Sequence, residues 1–341
     1  MPPLDWKTLP RPIVALSPMA DMTDSAFCRV VRECTPQRPQ ASGQLPFPVV
    51  FREMVSAEAV VRGNQKTLGM TDIDPAERPL VQQLFGADPA TMAEAARRIE
   101  AEHHPEGFDV NMGCPVYKIV HSFNGAALMK EPARAAEIVR RMKAAITVPL
   151  SVKIRAGWSD PRECLDFVRV LEDAGADLVA IHGRTKKQGY SGKADWNIIA
   201  EAKTRVKIPV LANGDVHDPA QVPEALRVTG CDGALIARGA LGHPWFFLHA
   251  QEALAGQTPT PVTLAERVRV VRRHADLHAE QYGERGIVTF RKHLAWYFKG
   301  ARGAKAFRQR LVTVKTRAEL DAVLDEMLVA SGFSVDSPSL A

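Results

Sequence analysis

The chain has 341 residues, 46% hydrophobic and 24% charged, with 44 Lys and Arg against 39 Asp and Glu for a net charge of +5. This ordinary globular composition excludes a disordered or fibrous chain, and the length accommodates a large domain plus a smaller one. No apolar run approaches the length of a bilayer span and the first residues lack a basic-then-apolar leader, so a cytoplasmic protein is expected.

In chain order, eight short apolar or β-branched runs stand out, each closed by Gly, Pro or Asn. They are Ile13 to Leu16, Val49 to Phe51, Leu80 to Leu84, Phe108 to Asn111, Leu150 to Ile154, Leu178 to Ile181, Val210 to Ala212 and Gly233 to Ile236. Between them, Asp88-Pro89, Glu131-Pro132, Asp160-Pro161 and Asp218-Pro219 place a proline behind an acidic residue, as helix starts do. Alternating strand and helix implies a parallel sheet, and eight units over roughly 240 residues predict a closed (β/α)8 TIM barrel in an α/β chain. An open doubly wound sheet fits less well. Its Gly-x-Gly-x-x-Gly turn is missing, the first turn reading Ser17-Pro18-Met19-Ala20.

In a barrel, chemistry gathers at the C-terminal ends of the strands. The fourth strand runs into Asp109-Val110-Asn111-Met112-Gly113-Cys114-Pro115, which puts a thiol at the rim. The other cysteines, Cys28, Cys34, Cys164 and Cys231, lie in or beside helical segments with no C-x-x-C pair, so no metal site is expected. The fifth strand delivers Lys153 and Arg155, the sixth His182-Gly183-Arg184, the seventh Asn213-Gly214-Asp215 and the eighth Ala237-Arg238-Gly239-Ala240. Small residues after the last two strands let backbone N–H groups approach a phosphate. Lys153 suits a Schiff-base amine or a fixed cation, and His182 an acid, a base or a hydrogen-bond donor. Together these strand ends favour a phosphate-bearing cofactor.

The Pro- and Gly-containing stretch Ala255 to Pro261 reads as a linker, which divides the chain into a barrel over 1–250, a linker over 251–261 and a helical domain over 262–341. Residues 262–341 hold 14 basic and 9 acidic side chains, so the whole net charge sits there. From Arg285 to Ala318 there are ten Lys or Arg and no acidic residue, interleaved with Phe290, Trp296, Tyr297, Phe298 and Phe307. Cations beside aromatics suit RNA, by counterion release and base stacking. The aromatics also suit a small core beneath a solvated basic face.

Ser17 to Asp24, Asp109 to Pro115, His182-Gly183-Arg184-Thr185 with Gln188-Gly189-Tyr190-Ser191-Gly192, Asn213-Gly214-Asp215-Val216, and Arg291-Lys292-His293 with Trp296-Tyr297 closely resemble the tRNA-dihydrouridine synthases, nearest the bacterial B type. The resemblance implies an FMN enzyme, recharged by NADPH, that reduces the C5–C6 bond of a uridine in tRNA, and nothing in it demands more than a monomer. It further implies that Pro18, Met19 and Ala20 lie against the flavin, Gln83 hydrogen-bonds its ring, and Lys153 and His182 hold its pyrimidine edge. Asn213, Gly214, Asp215, Ala237 and Arg238 would surround the phosphate. Cys114, on a mobile loop, would be the general acid that protonates C5 after hydride reaches C6. Asn111 would orient the base, Arg155 and Arg184 would contact the target nucleotide, and Arg291, Lys292 and His293 would bind tRNA.

Three features depart from that pattern. Ala237 replaces a common glycine, Arg52 adds a cation at the exit of the second strand, and Thr35 to Pro48 lengthens a connection at the face remote from chemistry. Three rivals explain less. A flavin barrel acting on a small molecule leaves the basic tail unused, a Schiff-base aldolase needs no flavin, and an RNA-binding module with a dead barrel leaves Cys114, Lys153 and His182 without a role.

Overall fold

The computed structural model describes residues 4–35, 48–121, 123–301 and 303–330. Eight strands, β1 (Ile13–Leu16), β2 (Val50–Ser56), β3 (Leu80–Phe85), β4 (Gly107–Met112), β5 (Leu150–Arg155), β6 (Leu178–His182), β7 (Val210–Asn213) and β8 (Gly233–Ile236), pair in parallel and in chain order into a closed barrel. The expected (β/α)8 architecture is what folds. Six of the strands run past their expected ends, and in β5, β6 and β7 the added residues are polar ones that go on pairing: Arg155 stands opposite His182, and His182 opposite Asn213. That extra turn of ladder carries those side chains to the rim on rigid strand rather than loop.

Parallel strands covered on both faces must be apolar throughout, and β1, β7 and β8 are buried at every position. Inside the barrel Ile13, Ala15, Phe51, Val81, Leu178, Ala180, Leu211 and Leu235 pack together. Trp6 joins them, stacked on Phe51 at 5.9 Å between ring centroids. Outside, helices such as Pro89–His103 and Pro132–Ala145 cover the sheet, each with proline in its first turn as expected. Asp160-Pro161 and Asp218-Pro219 act differently. The first precedes the helix Glu163–Asp173, and the second opens a single short turn, Pro219–Gln221, before the helix Val222–Thr229. Most of the stretch 35–48 lies outside the described residues.

The helix Phe246–Leu254 packs Phe246, Phe247 and Ala250 into the barrel's own outer core, so barrel packing continues past residue 250. After residues 255–263 come the helices Leu264–Tyr282, Gly286–Tyr297, Ala304–Leu311 and Arg317–Val329. They share a core with the helix Ser25–Glu33, whose Ala26 and Val30 belong to it. Phe290, Tyr297 and Phe298 are buried in this core and cannot stack on bases, whereas Trp296 remains partly exposed. Among the described residues no helix is long and apolar enough to cross a membrane.

Arg52 turns away from the expected ligand contact. It is 1% exposed, bonds Glu77 Oε2 at 2.8 Å, and donates to the carbonyls of Met70 at 2.9 Å and Asp72 at 3.0 Å. Burial works against its charge, but Glu77 beside it keeps the guanidinium protonated. Removing one member of a buried ion pair strands the other. Arg52→Met is therefore expected to lose about 3–5 kcal/mol in urea unfolding, part of which returns when Glu77→Gln is added; a single variant as stable as the wild type would contradict this role.

Candidate active site

The rim of the barrel is wired from β3 to β5 by one chain of hydrogen bonds. Asp109 accepts from Ser151 Oγ at 2.6 Å and from Gln83 Nε2 at 2.6 Å, and Gln83 Oε1 accepts from Asn111 Nδ2 at 2.9 Å. Asn111 Oδ1 in turn accepts from the backbone N–H groups of Gly113 at 3.2 Å and Cys114 at 2.9 Å. Cys114 O accepts from Ala126 N at 3.1 Å, and Arg155 Nε donates to Gly113 O at 2.8 Å. The backbone at Cys114 is thus held from both sides and its half-buried free thiol is presented from a fixed root.

One position over, the β4–β5 register sets Lys153 beside Asn111. Among the described residues Lys153 has no hydrogen-bond partner, and the Nδ1 of buried His182 is also unpartnered. Pro18, Met19, Lys153, His182, Asn213, Gly214, Asp215, Ala237 and Arg238 line one cavity of about 110 Å³. It shares Tyr190, Asp215, His217 and Arg238 with an adjoining cavity of about 860 Å³ that reaches Trp296 and Lys299 of the helical region. The inner space alone is below the ~300–1,000 Å³ usual for ligand sites, and the outer one falls within it. Gly214, at φ +116, is needed here: a Cβ would stand 2.7 Å from Ala194 Cβ and 3.0 Å from the His182 ring.

The electrostatics follow from burial. Burial raises the Asp109 carboxyl to about 6 against the pull of Ser151, Gln83 and Lys153. Burial first, then Arg155, lowers Lys153 to about 8. His182 is held well below its ordinary value by burial and then by Lys153, Arg155, Arg184 and Arg238, so it is a neutral imidazole at pH 7. A cation, a neutral imidazole and a free thiol ring one rim. This set can stabilise negative charge developing on a ring and supply a proton.

A family model described as "Dihydrouridine synthase (Dus)" matches residues 14–331. The chain belongs to the dihydrouridine synthase family. It is 38% identical over 318 residues to "Probable tRNA-dihydrouridine synthase 1" of Synechocystis sp., covering 92% of this chain and 86% of that one. It is 40% identical over 321 residues to "Probable tRNA-dihydrouridine synthase" of Mycobacterium tuberculosis, covering 92% and 82%. Among solved structures it resembles a 2-naphthoyl-CoA reductase complex, with TM-score 0.53 and 11% identity over 72% of this chain and 50% of that one. It also resembles histamine dehydrogenase from Rhizobium sp., with TM-score 0.52 and 11% identity over 78% and 49%. The chain spans about half the length of those two proteins, and the likeness is one of fold.

For a dihydrouridine synthase of this sequence, several expected ligand contacts are instead structural. Arg184 spends its donors on both oxygens of Asp215 at 2.7 Å and on the carbonyls of Ser191 and Gly192. Burial opposes the Asp215 charge, yet Arg184 and the Ala194 N–H hold it below the ordinary carboxylate range. Arg155 is 3% exposed and donates through Nε and Nη1 to the Gly113, Thr185 and Gly189 carbonyls, so both arginines hold loops of the rim in place. Asn213 donates to Leu235 O at 2.6 Å and locks β7 to β8. Asn111 and Gln83 are engaged in the chain above, and Ala20 lies exposed outside the cavity lining. In the tail, Arg291 is partly exposed and donates to the carbonyls of Thr313 and Val314, while His293 is 1% exposed inside the interface with the barrel and so does not reach a surface ligand. Lys292, partly exposed, stands 3.9 Å from Asp24.

Two residues went unassigned in the sequence. Asp109 sits inside an apolar strand on the same face as Asn111, and that misplaced charge was the available signal. Tyr190 has its ring under Arg238 at 4.9 Å and Arg155 at 5.7 Å, contacts no spacing announces.

The unfolded chain protonates His182 near the ordinary imidazole value of 6.5 while the folded chain resists. Its contribution to stability is therefore whole above that pH and lost as pH falls below it, at up to about 1.4 kcal/mol per unit. His182→Gln is expected to shrink the difference in unfolding free energy between pH 7.5 and 5.5 by about 1 kcal/mol; an unchanged difference in urea titrations would show that His182 titrates normally.

Proposed function

We propose that this chain reduces the C5–C6 double bond of a uridine in tRNA to dihydrouridine, with FMN at the barrel mouth, NADPH as reductant and Cys114 as proton donor to C5. The observation that carries this reading is the buried His182 Nδ1, which has no protein partner, set beside the partly exposed Lys153 and the tight Gly214 turn on one cavity. Unpaired buried polar groups are rare in finished structures and mark a place for a ligand. The donor set suits a flavin: a cation for the pyrimidine edge, an imidazole beside it, and Arg238 with open backbone at the β8 exit for a phosphate. When bound, FMN supplies the hydride that reaches C6 of uracil, and NADPH restores it.

Everything else falls to side chains of the chain itself. Negative charge that develops toward C5 and O4 lies near the Lys153 ammonium, which stabilises it in a low-dielectric site. Cys114 Sγ gives its proton to C5, and the thiolate recovers one from solvent. The Asn111 and Ala126 contacts keep that sulfur at a constant height above the rim. Arg155 and Arg184 serve by closing the loops over 185–192. Exposed Arg285, Lys299, Lys305, Arg308 and Lys315 give the helical region its positive surface, while Arg310 and Arg317 are spent on Glu326, Asp276 and Asp321.

Two experiments test the reading. Cys114→Ala is expected to keep bound flavin absorbance and lose at least about 100-fold in dihydrouridine formation on tRNA; full activity would remove Cys114 from the proton step. Lys299→Glu with Arg308→Glu is expected to weaken tRNA binding and to reduce the slope of log K against log salt by about 1 per lost phosphate contact, with flavin reduction by NADPH unaltered. Unchanged binding across salt would move the RNA surface elsewhere.

A further inference from the structure

Away from the mouth, where the helical region meets the barrel, four titratable side chains converge: Asp24, His274, His278 and His293, with donor atoms all within 4.8 Å of one another. They are 0–1% exposed. His274 and His278 are four residues apart and so share one face of the helix Leu264–Tyr282. His293 comes from the helix Gly286–Tyr297, and Asp24 caps the helix Ser25–Glu33. Asp24 uses Oδ1 for that cap, bonding Phe27 N at 2.9 Å, while its Oδ2 accepts from Tyr282 Oη at 3.2 Å and stands 3.3 Å from His278 Nδ1.

Three ring nitrogens in this cluster, His274 Nε2, His278 Nδ1 and His293 Nε2, are buried without a hydrogen-bond partner. His278 Nδ1 lies 3.3 Å from Asp24 Oδ2 but outside hydrogen-bond geometry. Two of the rings are anchored at their other nitrogen: His274 Nδ1 by Tyr297 Oη at 3.0 Å and His278 Nε2 by Thr289 Oγ1 at 2.9 Å. That is the arrangement of metal-bound imidazoles, whose second nitrogen is fixed by an outer hydrogen bond while the first faces the ion. Burial keeps His274 and His293 unprotonated, the form that ligates. Phe27 and Phe290 wall the cluster with ring centroids 5.5 and 4.8 Å from His274.

We propose that Asp24, His274, His278 and His293 form a structural binding site for a zinc-class divalent transition metal, which fastens the helical region to the barrel. Three imidazoles and one carboxylate make a four-coordinate nitrogen and oxygen set that suits zinc, whereas calcium and magnesium prefer oxygen ligands. With ligand distances of about 2.0–2.1 Å, the donors of a tetrahedral site stand about 3.3–3.4 Å apart, so side-chain shifts that bring the most distant pair about 1.4 Å closer together close the cluster on an ion. Lys292, whose ammonium is 3.9 Å from Asp24 Oδ2, is 29% exposed and can swing to solvent when the ion takes the carboxylate. The cysteine spacings carry no hint of this site, because its ligands are histidines and a carboxylate about 250 residues apart in sequence.

The test uses the untagged full-length protein, purified without chelator and analysed for metals by plasma mass spectrometry. About one zinc-class ion per chain is expected, with a chelator removing it and lowering the thermal midpoint. Cobalt(II) added to the stripped protein is expected to give the visible bands of a tetrahedral site, and His278→Ala to weaken cobalt binding by at least about 100-fold. A folded wild-type protein that carries no metal and gives no cobalt bands would overturn the proposal even if the variant fails to fold. An ion that stays with both His278→Ala and Asp24→Asn would do the same.

Discussion

The barrel closes at Gly233. As the first residue of β8 it stands opposite Ile13, and a Cβ there would come within 1.9 Å of Ile13 O, a distance no side chain survives. Without that bare backbone the seam from Ile13–Gly233 to Leu16–Ile236 would not form, and the sheet would stay open. The seam also delivers function. Ser17 N bonds Ile236 O at 2.7 Å, which sets the turn Ser17–Met19 next to Ala237 and Arg238, so two walls of the inner cavity come from opposite ends of the barrel sequence.

At the mouth, the fold spends most of its cations on itself. Arg52, Arg155, Arg184 and Arg267 are each at least 94% buried, and each donates to two or more backbone carbonyls. A planar guanidinium with five donors suits that task better than an ammonium, which has three and no fixed fork. Lys153 is the contrasting case, a cation with its donors unspent. The division of labour explains why one lysine stays available in so basic a rim.

Much of the fold was readable from the sequence because its cause is local. Apolar runs ended by Gly, Pro or Asn between amphipathic segments dictate strand and helix wherever they occur, and the order of eight such units dictates the barrel. The site was readable in part. Lys153, His182, Gly214, Ala237 and Arg238 were expected together because strand ends are the place to look, and they do line one cavity; Cys114 was singled out because a thiol at a strand end is unusual. What sequence hid was partnership. Arg184 finds Asp215 and Arg291 finds the carbonyls of Thr313 and Val314 only after the chain has folded, so both read as free cations. For the same reason His293, set among Lys and Arg, read as surface, although it lies against Phe27 from the far end of the chain.

Arg267 bridges the barrel and the helical region directly. One Nη1 donates to Gly242 O and to Tyr297 O, each at 3.0 Å, while the guanidinium lies over the Trp245 ring. Gly242 approaches so closely that a Cβ would stand 2.3 Å from the backbone of Trp296. The barrel mouth and the helical surface are therefore a constant distance apart. Their spacing is set by this packing and not by the chain that connects them.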